Sequence, residues 1–241
     1  EGAVARDLRA ALAAHKVLFF RDQPLMPATH LALTRHFGTP GVHPLMPADA
    51  GHDGVERHRR TAEVSGTENV WHRDLSWRPV PPAGAVLHAI SVPALGGDTL
   101  FADMAAAHDG LAPSLQAQIA AMTARHSFAR VIAHEASAER LAEVRRDHPP
   151  THHRLVITHP ITGRKVLNVN QYFVEGIDGL DDGDSQHLVA ELCSQTDRPE
   201  YQCRFRWEDH SVAIWDNCSV QHYACLLYTS DAADDMQCVD L

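Results

Sequence analysis

The sequence predicts an α+β fold, and three observations predict it. Apolar residues recur at helical spacing near the start, short apolar runs bounded by Gly and Pro fill the middle, and two strand-like runs follow late in the chain. Helical spacing is typical of a helix packed on a core, whereas alternation or a short continuous run indicates a strand. The predicted helices lie mostly outside the central block of strands.

The first predicted elements are a helix and a strand. Residues 3–14 carry apolar side chains at i, i+4 and i+8, which predicts a helix with an inward face of Val4, Leu8 and Leu12. The continuous apolar run 17–20 is typical of a short buried strand.

The middle of the chain alternates between irregular and regular segments. Residues 39–69 are rich in Pro, Gly, His and charge, which predicts a long loop, and long loops in compact domains tend to be functional or disordered. Residues 70–101 follow a β pattern, and residues 103–122 follow an interrupted helical one. Residues 131–153 show little periodicity and resemble a mobile insertion, and we expect them to form a lid together with residues 39–69.

The later part of the chain contains the clearest hairpin. Residues 154–170 place two apolar runs around the turn-forming sequence 160–163. A helix is predicted over 185–196. Residues 201–207 alternate between aromatic or Cys side chains and polar ones, as a half-buried strand does, and 211–215 form the next strand.

Composition limits the class of protein. The chain has 241 residues, 44% of them hydrophobic, which suits one ordinary domain with a core. A net charge of −10 without a basic stripe argues against nucleic acid and against a membrane surface as partners. No apolar run approaches the roughly 18–20 residues that span a bilayer. The expected partner is a small molecule, and both a monomer and a homo-oligomer stay open.

The cysteines indicate a reducing compartment. Their number, five, is odd, and no two of them form a Cys-x-x-Cys motif. The N-terminal stretch lacks the pattern of a signal peptide. Together these features predict reduced thiols in a cytoplasmic protein.

A metal site is predicted at His72, Asp74 and His222. His72 and Asp74 are two residues apart, so on a strand both side chains point to the same face. His222 lies far downstream, behind the apolar run 212–215. Two imidazoles and one carboxylate form the facial triad that binds non-haem Fe(II) and leaves coordination positions open. Because the chain has 18 His, the wider pattern rather than His-x-Asp itself supports the prediction.

Several short segments follow one another in a recognisable order. They are Phe20-Arg21-Asp22-Gln23, His43-Pro44, Trp71-His72-Arg73-Asp74, Pro81-Pro82-Ala83-Gly84-Ala85, Gly96-Gly97-Asp98-Thr99-Leu100-Phe101, Thr158-His159-Pro160 with Gly163-Arg164-Lys165, and Ala213-Ile214-Trp215-Asp216-Asn217 with Gln221-His222-Tyr223-Ala224. In this order and spacing the chain resembles the taurine dioxygenase family of Fe(II)/2-oxoglutarate-dependent oxygenases.

The resemblance implies the cofactor and its ligands. Fe(II) would be bound by His72, Asp74 and His222, with 2-oxoglutarate and O2 as cosubstrates. Thr99 would donate its hydroxyl hydrogen to the distal carboxylate of 2-oxoglutarate. The implied reaction is hydroxylation of a small anionic organic molecule, with succinate and CO2 as the other products. No catalytic residue beyond the metal ligands is expected.

The resemblance also implies substrate contacts, at His43, Asn69 and Phe173. The expected substrates are a sulfonate such as taurine, a sulfate ester or a carboxylate, as in sulfur metabolism. Met46 and Glu68 stand where taurine enzymes carry Tyr and Asn, which argues against taurine itself.

The fold that the resemblance implies is a double-stranded β-helix (jelly roll) with flanking helices, and the short strands with outlying helices suggest the same class. We expect residues 1–224 to form a single dioxygenase domain, truncated at both ends. Residues 225–241 do not match the family, and we interpret them as a read-through artefact without the expected strand pattern.

One departure keeps other functions open. Ala233 stands where the family has an Arg that pairs with 2-oxoglutarate, and no Lys or Arg follows Arg206. A buried carboxylate without its Arg loses its strongest anchor. The chain is therefore predicted to be a dioxygenase or, as the alternative, a metal-binding jelly-roll protein without turnover. A zinc hydrolase using the same triad is a third hypothesis, against which Gly-Gly-Asp-Thr argues.

Overall fold

The computed structural model describes residues 2–42, 48–49, 52–60, 69–226 and 234–241. The helices are α1 (Ala3–His15), α2 (Pro27–Thr34), α3 (Met104–Asp109), α4 (Pro113–Ile119), α5 (Phe128–Ile132), α6 (Ala138–Asp147) and α7 (Asp182–Cys193). None of the helices in these ranges has the length and apolar character that crossing a membrane requires.

The strands complete the chain order. They are β1 (Val17–Phe20), β2 (Ala48–Asp49), β3 (His52–Arg60), β4 (Gly84–Ser91), β5 (Thr99–Asp103), β6 (Thr123–His126), β7 (Thr151–Arg154), β8 (Val156–Thr158), β9 (Lys165–Leu167), β10 (Val174–Ile177), β11 (Gln202–Phe205), β12 (Val212–Asp216), β13 (Val220–Ala224) and β14 (Asp234–Asp240).

One compact unit comprises Glu1–Asn69, Pro82–Phe101 and Arg204–Leu241. It contains a six-stranded sheet in the order β1-β12-β4-β14-β3-β2 and a three-stranded sheet in the order β11-β5-β13. Both sheets contribute to one buried apolar cluster that includes Phe101 and Trp215. The two sheets therefore pack through their inner faces, as in a β-sandwich.

Strand β12 shows why a continuous apolar run was the right signal for a strand. All five of its residues are buried. Ala213 and Trp215 belong to the cluster between the sheets, whereas Val212 and Ile214 pack in a second cluster with residues of α1 and α2. Because both faces of this central strand are covered, alternation with polar residues is absent.

The second compact unit comprises Val70–Pro81 and Ala102–Cys203. It contains the three-stranded sheet β10-β6-β7, the hairpin β8-β9 and helices α3 to α7. Its core includes Leu188 and Leu192 of α7, packed with Ile119 and Leu155. The start of α7 is fixed by Asp181, whose carboxylate accepts a hydrogen bond from the backbone N–H of Asp184 at 2.9 Å.

The structure confirms several predicted elements. The first helix, the strand 17–20 and the hairpin within 154–170 are all present. The interrupted helix over 103–122 is the pair α3 and α4. These elements were predictable because each depends on local spacing and turn chemistry.

Three local predictions need correction. In α1, Val4 is 71% exposed and Ala5 is buried in its place, whereas Leu12 packs against the core as predicted. Within the predicted loop 39–69, residues 48–49 and 52–60 form β2 and β3, which are stabilised by strand pairing. The segment 131–153, predicted without periodicity, contains α6, whose start is capped by the Ser137 hydroxyl.

The tail is also more regular than its composition predicts. Residues 234–240 form β14, which pairs antiparallel with both β3 and β4. Met236 and Val239 of this strand are buried. An acidic segment can occupy a central strand here because Asp235 accepts hydrogen bonds from the Arg57 guanidinium, with Nε–Oδ1 at 2.8 Å.

Candidate metal and cosubstrate site

The segment that carries the first two candidate ligands is not the strand that the sequence predicted, because residues 74–77 form a turn, but it still places His72 and Asp74 side by side. His72 is 4% exposed, and its Nε2 lies 3.7 Å from Oδ1 of Asp74. Two atoms that each bind one ion at about 2.1 Å must lie within about 4 Å of each other. The spacing of this pair therefore suits a shared cation.

A backbone carbonyl selects the tautomer of a neutral His72. Its Nδ1 lies 2.8 Å from the carbonyl oxygen of Val70, which can only accept a hydrogen bond. Nδ1 therefore carries a hydrogen, and in the neutral imidazole the lone pair lies on Nε2, the nitrogen that is near Asp74. A neutral imidazole oriented in this way is the usual form of a histidine ligand.

His222 lies in an aromatic environment on β13. It is 9% exposed, and its ring centroid lies 5.0 Å from that of Trp215 and 6.1 Å from that of Phe101. These large rings come from β12 and β5 and restrict both the orientation of the imidazole and the access of water.

His72, Asp74 and His222 are a group of side chains that could hold a metal ion. One ligand atom each from His72, Asp74 and His222 lies within 4.8 Å of the others. Within the ranges that the structure describes, this is the one group of three His, Cys, Asp or Glu side chains arranged to hold a metal ion. Two neutral imidazoles and a carboxylate fit Fe(II), because they supply three donors and leave other positions open.

Thr99 begins β5 directly after a glycine turn. Gly96 and Gly97 have φ values of 85° and 72°, which side chains disfavour, so the Gly-Gly pair is required by the turn. Thr99 is 7% exposed, and its Oγ1 lies 2.9 Å from Nε1 of Trp207. Because an indole N–H can only donate, Oγ1 accepts this bond and keeps its own hydrogen for another acceptor.

The predicted substrate contacts fall in three different situations. His43 lies outside the described residues, as do Met46, Glu68 and Ala233. Asn69 is exposed. Phe173 is 5% exposed and packs with Leu75 and Trp77, which follow Asp74 in the chain. Its contact with a substrate stays a prediction.

Sequence reasoning missed Tyr172, which adjoins a candidate ligand. Its ring centroid lies 5.3 Å from that of His72 and 4.7 Å from that of Phe173. An apolar pair of rings thus lies beside the imidazole. The signal was weak, because Tyr172 is one residue from the position that the family pattern indicated.

A buried polar network supports the His72–Asp74 segment. Nη1 of Arg73 donates to Oδ1 of Asn168 at 2.9 Å, and Nδ2 of Asn170 donates to Oγ of Ser76 at 3.2 Å. Oγ of Ser76 also lies 3.0 Å from Nδ1 of His126. The alternation of Asn with Val at 167–170 was a usable signal, because two Asn at strand spacing share one face.

His126 is neutral in this network. It is fully buried, and desolvation, followed by the nearby His153 and Arg73, lowers its pKa to about 3. A charged imidazole would be costly in that position. His126 thus acts as a polar but uncharged support.

Comparison with known proteins gives a consistent result. The family described as "Taurine catabolism dioxygenase TauD, TfdA family" matches residues 1–237. An alpha-ketoglutarate-dependent sulfate ester dioxygenase of Pseudomonas putida is 34% identical, over 93% of this chain and 76% of its own length.

Solved structures agree with the fold. A taurine dioxygenase from Burkholderia xenovorans matches with a TM-score of 0.84 and 29% identity, over 100% of this chain and 80% of its own. AAD-2 in complex with Mn(II) and N-oxalylglycine matches with a TM-score of 0.83 and 26% identity, over 98% of this chain and 86% of its own. These likenesses confirm the predicted double-stranded β-helix with flanking helices.

Proposed function

Because the chain belongs to the taurine catabolism dioxygenase TauD, TfdA family, we propose that it is an enzyme that hydroxylates a small organic sulfate ester. We further propose that His72, Asp74 and His222 bind its iron. Enzymes of this kind are oxidoreductases that use Fe(II), 2-oxoglutarate and O2 and act on small anionic substrates. What we propose for this chain is which residues bind the iron, which residue binds 2-oxoglutarate, and which substrate is hydroxylated.

The observation that supports the proposal most directly is the convergence of the three ligand atoms within 4.8 Å. When bound, Fe(II) with 2-oxoglutarate supplies the oxidation of a substrate C–H bond, with succinate and CO2 as products. The protein residues bind and orient. Asp74 would offset part of the metal charge, and the contact of Nδ1 with the Val70 carbonyl would leave Nε2 of His72 as the nitrogen that binds the ion.

Thr99 is the proposed anchor of the distal carboxylate of 2-oxoglutarate. Its hydroxyl is nearly buried and retains a hydrogen to donate. A hydrogen bond to an anionic acceptor is stronger than one between neutral groups.

A sulfate ester is proposed as the substrate because the Pseudomonas putida relative acts on sulfate esters. Hydroxylation at the carbon that bears the ester oxygen gives an unstable adduct. That adduct breaks its C–O bond to release sulfate and an aldehyde. A sulfonate is the second candidate, since a structural relative is a taurine dioxygenase, and its C–S bond would break to release sulfite.

An anaerobic titration tests the site. The apoprotein receives Fe(II) and then 2-oxoglutarate, and the visible metal-to-ligand charge-transfer band is recorded. We expect a band that is lost in His72→Ala and His222→Ala. Bound iron without a band would support the metal-binding protein without turnover. Binding of Zn(II) with hydrolysis, but no band with Fe(II), would support the hydrolase.

A substrate panel tests the reaction. The Fe(II) protein is exposed to O2 and 2-oxoglutarate with a medium-chain alkyl sulfate, the matching alkyl sulfonate or the matching carboxylate. We expect succinate and sulfate to appear in equal amounts with the first. Sulfite from the sulfonate, or a hydroxylated carboxylate, in the absence of sulfate release would contradict the proposed substrate.

The cellular setting is part of the proposal. All five cysteines are free thiols in the structure, and burial raises the pKa of Cys193 to about 12, which leaves it unreactive. Free thiols persist in a reducing compartment, so we propose that the protein acts in the cytoplasm. The net charge of −10 favours small-molecule partners over nucleic acid.

A further inference from the structure

Thr99 and Trp207 form a buried pair that joins distant parts of the chain. The two residues are 108 positions apart, and the exposed fractions are 7% for Thr99 and 4% for Trp207. The indole Nε1 donates to the threonine Oγ1 at 2.9 Å. Leaving a buried indole N–H without an acceptor is costly, so this bond is strongly favoured.

We propose that Trp207 is a positioning residue, which turns the hydroxyl of Thr99 into an oriented hydrogen-bond donor for the terminal carboxylate of 2-oxoglutarate. The inference rests on the proposed role of Thr99. A threonine hydroxyl has one hydrogen and two lone pairs, and it rotates to suit its partners. With the indole hydrogen on one lone pair, the hydroxyl hydrogen points away from Trp207.

The bond also strengthens the donor. A hydroxyl that accepts a hydrogen bond is polarised and becomes a better donor to the next group. The pair therefore favours a ligand that accepts hydrogen bonds, such as a carboxylate.

The orientation of Trp207 is itself fixed by an aromatic stack. The ring of Phe205 meets Trp207 edge-on, with centroids 4.8 Å apart and planes at 82°. Phe205 stacks on Phe19 at 4.2 Å, with planes 5° apart. The Arg21 guanidinium lies 4.3 Å from the centre of the Phe205 ring on that stack. These contacts leave the indole little freedom to turn its N–H elsewhere.

The two arginines beside Trp207 in the chain, Arg204 and Arg206, make other contacts. Arg204 donates through Nε to Oδ2 of Asp98 at 2.6 Å, and Arg206 donates to the carbonyl of Ala94 at 2.8 Å. Both guanidiniums are thus engaged on the outer side of the strand, where Arg204 is exposed. The inward residues of the same stretch are Phe205 and Trp207.

A double-mutant cycle tests the inference. The affinity for 2-oxoglutarate is measured from the charge-transfer band in the anaerobic Fe(II) protein, for Trp207→Phe, Thr99→Val and the double variant. Trp207→Phe keeps an aromatic six-membered ring but removes the indole ring that carries the N–H donor. We expect it to weaken 2-oxoglutarate binding about fivefold, the effect of one lost hydrogen bond. In the Thr99→Val background the same change should have no effect.

A truncated cosubstrate supplies the matched control. 2-Oxopentanoate chelates iron in the same way but lacks the terminal carboxylate, so wild type and Trp207→Phe should bind it equally. Thr99→Ser, which retains the hydroxyl, should bind 2-oxoglutarate within about twofold of wild type and remain sensitive to Trp207→Phe.

The outcomes separate this inference from the proposed function. Equal losses from Trp207→Phe in the wild-type and Thr99→Val backgrounds, or equal losses with 2-oxopentanoate, would show that Trp207 acts only through packing. An unchanged affinity for 2-oxoglutarate would also overturn the inference. Failure of the wild-type protein itself to form the band would instead contradict the proposed function.

Discussion

His72 and His30 show how a hydrogen-bond partner decides what an imidazole can do. In each, one ring nitrogen donates a hydrogen bond to a backbone carbonyl oxygen, at 2.8 Å in His72 and 2.9 Å in His30. In His72 the other nitrogen lies near the carboxylate of Asp74. In His30 the other nitrogen is buried without a hydrogen-bond partner among the described residues. The first arrangement suits a shared cation, and the second suits only a neutral core histidine.

Asp74 should be required for iron binding. Asp74→Ala removes the one anionic donor of the triad. We expect Fe(II) affinity to fall at least about 100-fold, since even a mutation of a residue that only hydrogen-bonds a metal ligand lowers metal affinity about 10–100-fold. The measurement is anaerobic Fe(II) titration. Asp147→Asn, a change at the exposed end of α6, is the control and should leave the affinity unchanged. Retained affinity in Asp74→Ala would exclude Asp74 as a ligand.

His30 should make the folded state sensitive to mild acid. Burial, with a smaller contribution from the nearby His88, lowers its pKa from 6.5 to about 4, although the hydrogen bond to Val86 opposes the shift. The unfolded chain therefore binds this proton first. The free energy of unfolding should fall as the pH drops from about 6.5 to about 4, by up to about 3 kcal/mol.

Urea unfolding at a series of pH values checks the role of His30. In His30→Gln the amide can still donate to the Val86 carbonyl but cannot titrate. The variant should therefore lose less stability between pH 6.5 and 4 than the wild type. Identical slopes in the two proteins would contradict the role assigned to His30.

At the scale of elements, β14 shows that an acidic segment becomes a strand through its partners. It lies between β3 and β4, and Asp235 stands opposite Arg59 in the pairing with β3. Its carboxylate receives hydrogen bonds from Arg57 and, at 3.4 Å, from Arg59. Cross-strand pairs of opposite charge stabilise a sheet, which offsets the low strand propensity of Asp.

Asp235 should contribute measurably to the docking of this strand. The hydrogen bond from Arg57 lowers the pKa of the Asp235 carboxyl, so the contribution is present above the ordinary pKa of Asp and is lost as the pH falls through the lowered value. Because the Arg57 side chain is 43% exposed, Asp235→Asn should cost only about 1 kcal/mol at pH 7.

Denaturant unfolding of matched variants tests this contribution. Arg59→Gln, which removes only the longer contact, is the control and should cost less than Arg57→Gln. Equal and negligible effects of Asp235→Asn and both Arg variants would mean that β14 is held by its apolar residues, such as Met236 and Val239.

At the scale of the whole molecule, ligand binding should be visible as stability. A ligand that binds only the folded state adds about 2.7 kcal/mol at 100 times its Kd. For a chain of this size that corresponds to a rise in Tm of roughly 5–10 °C. Fe(II) should give one increment under anaerobic conditions, and 2-oxoglutarate a second one only when Fe(II) is present.

The order of addition makes the thermal test specific. 2-Oxoglutarate without metal should leave the Tm unchanged, because its chelating end then has no partner. A rise with 2-oxoglutarate in the absence of metal would contradict the proposed site, since the cosubstrate would be binding elsewhere.

The sequence by itself determined the features that depend on neighbours along the chain. The two-residue spacing of His72 and Asp74 placed both on one segment. Gly96 and Gly97 predicted the turn before Thr99, and the helical and hairpin patterns located several elements. The joint order of these motifs also indicated the family. Such features can be predicted from sequence because backbone geometry fixes which side chains share a face over a few residues.

Only the tertiary structure decided which distant residues meet. Trp207 donates to Thr99 across 108 positions, Tyr172 lies against His72, and the acidic end of the chain pairs with β3 and β4. A strand's period of two says which face a side chain occupies but not which strand lies beside it. Strand partners are chosen by the packing of the whole core, so these contacts could not be inferred from local pattern.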